Sequence, residues 1–264
     1  MSKSYDLSTS TKWANLADGD HVVKLRAKGA GYGSSSFSNS VTVTKGSAMP
    51  AKGDIITIET KQYRVLKTNG SLAEVLAMYN STDSQVFGSN NTYAGSQLDT
   101  YCNSIFYGEL SETIKSAIID KSFRQDSWRW SSTAPVNSHY TGKYNSTKAY
   151  YLTLVNESYG TYITRHCYCL SVQDVLDYLD CTPSLDITDT TLTDLNIWKM
   201  FWNVTVSQEG KFIWLRSAYP SQNLTNLLLY GKGFIDNADV RGGHIVRPAF
   251  QIDLSKIEWT PVGG

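Results

Sequence analysis

The sequence predicts an α+β domain preceded by a short all-β segment. Three observations predict it. Residues 5–45 carry only short alternating strand patterns. Helix-period patterns then recur three times, beginning at Gln97, Ser111 and Ser171. Strand patterns return at Phe212–Ser217 and His244–Ile252.

In the first segment, Val22 to Lys28 and Ser40 to Thr44 alternate as strands do. Gly29 to Ser36 is a turn-rich connection, and Asp18-Gly19 is a turn signal. About 40 residues is near the lower limit for an independent core. The segment is therefore expected to pack on the next domain, on a partner chain or on an upstream part. Lys45 to Gly53 reads as a linker, which gives boundaries at 1–45, 46–53 and 54–264.

The second unit opens with strands at Ile55–Ile58 and Gln62–Leu66 around a turn at Glu59–Lys61. Asn69-Gly70 is a strong hairpin signal before the strand Ala73–Met78. Gln97 to Phe106 is predicted helical, with Leu98, Tyr101, Cys102 and Ile105 on one face. Ser111 caps a second helix. Ser171 caps a third, and Asp174 at the third position completes a variant capping box. Residues 124–165 are rich in Ser, Thr, Tyr, Asn and Trp and are predicted to form strands and exposed loops. The segment 218–243 between the last two strands reads as a polar loop interrupted by Gly231-Lys232-Gly233.

Composition excludes several functions. The 264 residues carry Lys+Arg 24 and Asp+Glu 24, so the formal net charge is zero. A general electrostatic nucleic-acid binder needs a basic face, and none is visible. No apolar stretch approaches the roughly 18 residues of a spanning helix, so no membrane insertion is expected. Tyr 17 and Trp 7 against Phe 8 favour half-buried surfaces and binding loops, since both carry a polar handle on an apolar body. With the many Ser, Asn, Thr and Gly, this resembles the make-up of adaptable paratopes.

Reactive motifs are sparse. Cys167 and Cys169 have the wrong spacing for a CxxC knuckle, and with Cys102 and Cys181 they read as small buried hydrophobes or free thiols. His21, His139, His166 and His244 are scattered, with no HExxH, GxSxG or Walker pattern. Asp186, Asp189 and Asp194 supply oxygen ligands but no EF-hand loop, so no Ca²⁺ or other cofactor is expected. Asp174, Asp177 and Asp180 read as a solvated helix face. No catalytic residue is assigned.

Residues 5–45 resemble the last strands of a fibronectin type III-like sandwich. The match rests on Leu16, Gly19, Leu25, Ala27, Gly33, Ser36, Ser38, Val41 and Val43, with Val23 where that family has Tyr. In the second unit, Asn103-Ser104-Ile105-Phe106-Tyr107, the helix start at Leu170 to Val175, Trp214-Leu215-Arg216-Ser217 and Val246-Arg247-Pro248-Ala249-Phe250 resemble a family of Gram-positive gut bacteria and their phages. That ending is similar to the C-type-lectin-like fold in its formylglycine-generating-enzyme version. The resemblance implies a C-type-lectin-like ligand-binding domain over 54–264. It also implies structural roles for Arg216 and Arg247, pinning loops through bonds to carbonyls or carboxylates.

The same fold carries the variable proteins of diversity-generating retroelements. The segment 218–244 holds Tyr219, Ser221, Asn223, Asn226, Tyr230, Asp236, Asn237, Asp239 and His244, a set compatible with that diversification. With Trp130, these are the expected ligand-binding residues. The function expected is a non-enzymatic recognition protein: a phage tail or receptor-binding tip on the virion. Its partners would be a host surface glycan or protein and other tail or fibre proteins. Trimeric assembly would cover the open edge of the N-terminal segment. A bacterial surface adhesin and a glycan-processing enzyme are the alternatives.

Overall fold

A computed structural model describes residues 19–24, 34–45, 49–79, 84–131, 139–144, 148–179, 200–201, 212–220, 225–230 and 234–262, together with Lys12, Leu16 and Arg26. The chain divides into two compact units, Met1–Met49 and Pro50–Gly264.

In the first unit, β1 (Gly19–Val23) and β2 (Val41–Lys45) form an antiparallel pair. His21 lies opposite Val43, and Val23 opposite Val41. The Arg26 guanidinium sits over the Phe37 ring at 5.2 Å.

The second unit is built on two large sheets. Its elements begin with β3 (Ile55–Ile58), β4 (Lys61–Asn69), β5 (Leu72–Ala77) and β6 (Gln85–Val86). Gly70 turns the β4–β5 hairpin at φ 59°, in the left-handed region that glycine occupies without a Cβ penalty. A helical run follows: α1 (Gln97–Thr100), a π-helical stretch at Tyr101–Phe106 and α2 (Tyr107–Glu109). Then come α3 (Glu112–Ala117), β7 (Ile118–Ile119), β8 (Lys121–Ser131), β9 (His139–Tyr144), β10 (Lys148–Arg165) and β11 (Cys167–Cys169). The rest is α4 (Val172–Tyr178), β12 (Phe212–Ala218), β13 (Thr225–Tyr230), β14 (Phe234–Asp239), β15 (Gly243–His244), β16 (Pro248–Asp253), a 3-10 turn at Leu254–Lys256 and β17 (Thr260–Pro261).

One sheet runs β11-β16-β5-β4-β3-β17, with β7 also pairing β16. The other runs β14-β13-β12-β8-β10-β9. Its edge strands β14 and β9 come within 8 Å of each other, so this sheet curls towards closure. The short β6–β15 ladder is a third, separate pairing. Trp214, Phe87, Tyr93, Tyr63, Phe250 and Tyr168 fill the common core. Tyr63 meets Phe250 edge-on at 5.4 Å, and Phe87 meets Trp214 at 5.6 Å.

The fold is not the α+β C-type-lectin-like domain that the sequence predicts. Among the described residues, those in strands outnumber those in helices by more than two to one, and the helices are short. The protein is mainly β. The helix starts are placed as expected: Ser111 Oγ accepts from Ile114 N, and Ser171 with Asp174 forms a complete capping box. The error lies between Ala218 and His244. There, β13 and β14 form a ladder running from Thr225 opposite Asp239 to Tyr230 opposite Phe234. Leu227-Leu228-Leu229 before Gly231-Lys232-Gly233 is an apolar run ending at a glycine turn, which is a hairpin pattern. Residues 121–165 likewise go mostly into the long strands β8, β9 and β10.

Candidate recognition surface

The β8–β10 pairing is interrupted in its middle. Asn156 is opposite Ser127, Tyr159 opposite Gln125 and Ile163 opposite Phe123. Three steps along β10 match two along β8, and then four match two. The surplus residues bulge outward. Val155 to Ser158 and Gly160 to Tyr162 are exposed, while Tyr159 is half-buried. Tyr162 is 63% exposed, unusually open for a tyrosine on a strand. The local sequence favours this shape. Asn156 Oδ1 accepts from Ser158 N at 2.8 Å, an Asx turn, and Gly160 takes φ 76°.

Behind the bulge lies a rigid polar support. Gln125, 3% exposed, donates from Nε2 to Arg216 O at 2.6 Å and to Asn91 O at 2.8 Å. Its Oε1 accepts from Tyr93 N at 2.9 Å. Asn91, 2% exposed, donates from Nδ2 to Tyr219 O at 2.9 Å and accepts the Tyr159 hydroxyl at 3.3 Å. Gln125 and Asn91 thus tie together the 89–94 loop, the β10 bulge and the end of β12. Breaking any one bond would leave a buried polar group unsatisfied, so the three segments hold one another. What they present outward is Ser89, Asn90, Asn156, Glu157, Ser158 and Tyr162, beside the half-buried Tyr219 and Pro220.

The expected site residues are scattered by the fold rather than gathered. Tyr219 stands at this surface, with its backbone oxygen held by Asn91. Asn226 and Tyr230 lie in β13, Asp236 in β14 and Trp130 in β8. Asn237 is half-buried in β14. Asp239 is exposed and paired with Arg241, whose hydrogen bonds hold the carboxyl near pKa 2. His244 packs edge-on against Trp214 at 4.7 Å, and burial lowers its pKa. Ser221 and Asn223 lie outside the described residues, as do Cys181, Asp180, Asp186, Asp189 and Asp194. Among the described residues, no three His, Cys, Asp or Glu side chains are grouped to hold a metal.

Sequence reading missed the bulge and its supports. Asn156-Glu157-Ser158-Tyr159-Gly160 carries turn residues inside a strand pattern, which was the available signal. Trp128 is core, 2% exposed, and its Nε1 donates to Asp126 Oδ2 at 2.8 Å. Trp214, expected in the core, is 1% exposed.

A buried charge network continues from Gln125. Arg216 donates from Nη1 to Cys169 O and to Asp174 Oδ2, each at 2.6 Å, and lies 4.3 Å above the Phe123 ring. Burial alone would lower its pKa, but Asp174 and Asp126 reverse this and hold it above the usual arginine value. Burial would raise the Asp174 pKa; Arg216 and Lys121 outweigh it and drive the carboxyl below the usual range. Lys121 Nζ reaches Asp174 at 3.5 Å and Glu74 at 2.7 Å, and the Tyr168 hydroxyl donates to the same Glu74 oxygen. Asp174 is therefore a structural counter-ion, not part of a solvated face. Asp126 accepts from the Ser217 hydroxyl, and Ser217 Oγ accepts from Val172 N at 2.8 Å. Cys102, Cys167 and Cys169 are buried free thiols, with Cys102 and Cys169 sulfurs 3.6 Å apart. Burial pushes the Cys167 thiol far up, which makes it a poor nucleophile.

Fold and surface together define a mainly β module whose polar core braces an aromatic, amide-rich bulge. The chain belongs to the family described as a domain of unknown function, DUF6273, whose profile matches residues 72–254. The match includes the bulge, its supports and the Arg216 network. No curated protein matches the chain, and no solved structure does. No helix among the described residues is long and apolar enough to cross a membrane.

Proposed function

We propose that this chain is a non-enzymatic recognition protein that binds a glycan or protein on a host-cell surface. The observation that carries this reading is the braced β10 bulge. It holds a 63% exposed tyrosine with Asn156 and Ser158, beside Ser89 and Asn90 of the neighbouring loop, on a support of buried amides. A rigid aromatic loses little conformational entropy on binding, and amide and hydroxyl groups adapt their hydrogen bonds to sugars or peptide. Tyr219 joins this surface, and Asn226, Tyr230, Asp236, Asn237 and Asp239 lie in strands of the sheet that carries it. The setting we propose is a phage tail tip, in which several copies add avidity to a weak single site.

The test uses the purified chain, fluorescently labelled, on a panel of Gram-positive gut bacteria. Tyr162→Ala combined with Ser158→Ala should reduce cell binding about tenfold, the loss of one to two good contacts. The thermal midpoint should stay within about 2 °C, because both side chains are exposed. Undiminished binding by a folded variant would remove the bulge from the reading. Periodate treatment of the cells abolishes binding if the target is a glycan, and protease treatment does so if it is a protein.

A further inference from the structure

The seven-stranded sheet carries a polar row across three neighbouring strands: Lys67 on β4, opposite Glu74 on β5, opposite Gln251 on β16. A bulge at Leu66 produces this register. Val65 still pairs Val75, but the next pair is Lys67 with Glu74, one residue further on β4. Beside the row lies α4, whose Asp174, Asp177 and Tyr178 are spaced i, i+3, i+4 on one face. Sheet row and helix, bridged by Lys121, enclose a cleft of about 620 Å³. That volume falls within the range of small-molecule sites.

The charges in the cleft are unevenly satisfied. Its floor is matched internally: Lys121 lies between Glu74 and Asp174, and Asp174 also holds Arg216. Two exposed groups on the rims are not matched. Among the described residues, Lys67 on the strand wall has no ion-pair partner, and Asp177 on the helix wall bonds only the neutral Gln173 amide, at 2.8 Å. The lining as a whole holds three ammonium groups, of Lys52, Lys67 and Lys121, against three carboxylates, of Glu74, Asp174 and Asp177. A simple cation or anion gains little from such a balance. A molecule with both signs gains at both rims. Thr68, Asn69 and Gln251 also line the cleft and offer the hydroxyl and amide groups that sugar hydroxyls bond.

We propose that this cleft binds a small zwitterionic saccharide, an amino sugar that also carries an acid group. Its ammonium meets Asp177, its carboxylate or phosphate meets Lys67, and its ring hydroxyls meet those amide and hydroxyl groups. The cleft shares no residue with the β10 bulge, so this inference holds or fails independently of the surface reading.

Calorimetric titration of the full chain tests it with four sugars built on one glucosamine ring, which differ in whether the amine is free and whether an acidic lactyl group is attached. Muramic acid carries an ammonium and a carboxylate. N-acetylmuramic acid keeps only the carboxylate, glucosamine only the ammonium, and N-acetylglucosamine neither. Muramic acid should bind tightest, with each singly charged sugar about tenfold weaker, the loss of one charge-assisted hydrogen bond. Lys67→Met should bring muramic acid down to the level of glucosamine without changing glucosamine. Asp177→Asn should bring it down to the level of N-acetylmuramic acid without changing that sugar. Lys67→Arg, which keeps the charge, should retain binding. Absence of muramic acid binding at about 10 mM, where even a millimolar site would fill, would overturn the proposal. So would equal affinity for all four sugars, or variants that bind like the parent.

Discussion

Two of the buried arginines, Arg216 and Arg247, are treated in opposite ways. Arg216 is 4% exposed and Arg247 is 3% exposed. Arg216 has a carboxylate, a backbone carbonyl and an aromatic face. Among the described residues Arg247 has none of these: its Nε and Nη1 both lack hydrogen-bond partners, where Arg216 lacks one only at Nε, and burial lowers its pKa to about 10. Even so lowered, it stays charged at neutral pH. The motif pair Trp-Leu-Arg-Ser and Val-Arg-Pro-Ala-Phe suggested one shared role. The structure gives the pinning role to Arg216 alone. Similar motifs and equal burial thus do not imply equal energetics; the partners decide.

Substitution of each arginine separates the two cases. Arg216→Met should cost about 3–5 kcal/mol, because Asp174 and Asp126 would remain buried without their main cation. Urea unfolding measures this, and a loss below about 1 kcal/mol would make the two arginines alike. Lys121→Met removes the lesser cation of the same network and should cost about 1–2 kcal/mol. Arg247→Met should leave stability unchanged or raise it by about 1 kcal/mol, since it removes a buried charge that no described residue offsets. A strongly destabilised Arg247→Met would show that its charge is compensated after all.

Acid gives an independent check. The Asp174 pKa is depressed in the folded chain, so its contribution is present above the unfolded value of about 4 and is lost as pH falls below it. Asp126 works the other way. Burial raises its pKa, so its protonation on acidification relieves a cost. As pH falls, the parent should therefore first gain from Asp126 protonation above about pH 4 and then lose stability below about pH 4, where Asp174 alone of the two acts. Arg216→Met should flatten that acid limb, because Asp174 would no longer be depressed. Arg247→Met should leave it unchanged. Unfolding midpoints at a series of pH values distinguish these outcomes.

Local features were the most legible in the sequence. Caps at Ser111 and Ser171, the Gly70 hairpin and the buried Trp214 strand follow from neighbouring residues. Architecture was less so. The β13–β14 hairpin was hidden because its polar residues resembled a loop, although Leu227–Leu229 and the glycine turn marked strands. Both sites escaped for another reason. The cleft joins residues 67, 74, 121, 177 and 251, and the bulge is braced by residues 91 and 125. Register shifts at Leu66 and within 156–163 decide which side chains meet, and a strand pattern alone does not reveal a register shift.

The edges of the seven-stranded sheet have a further consequence. One edge strand, Cys167–Cys169, is three residues long. The other, Thr260–Pro261, ends on a proline, which has no N–H to donate. A foreign strand arriving at either side finds too short a ladder to extend. Crowded side by side at high local concentration, copies of this domain gain no route through that sheet to fibrous aggregation.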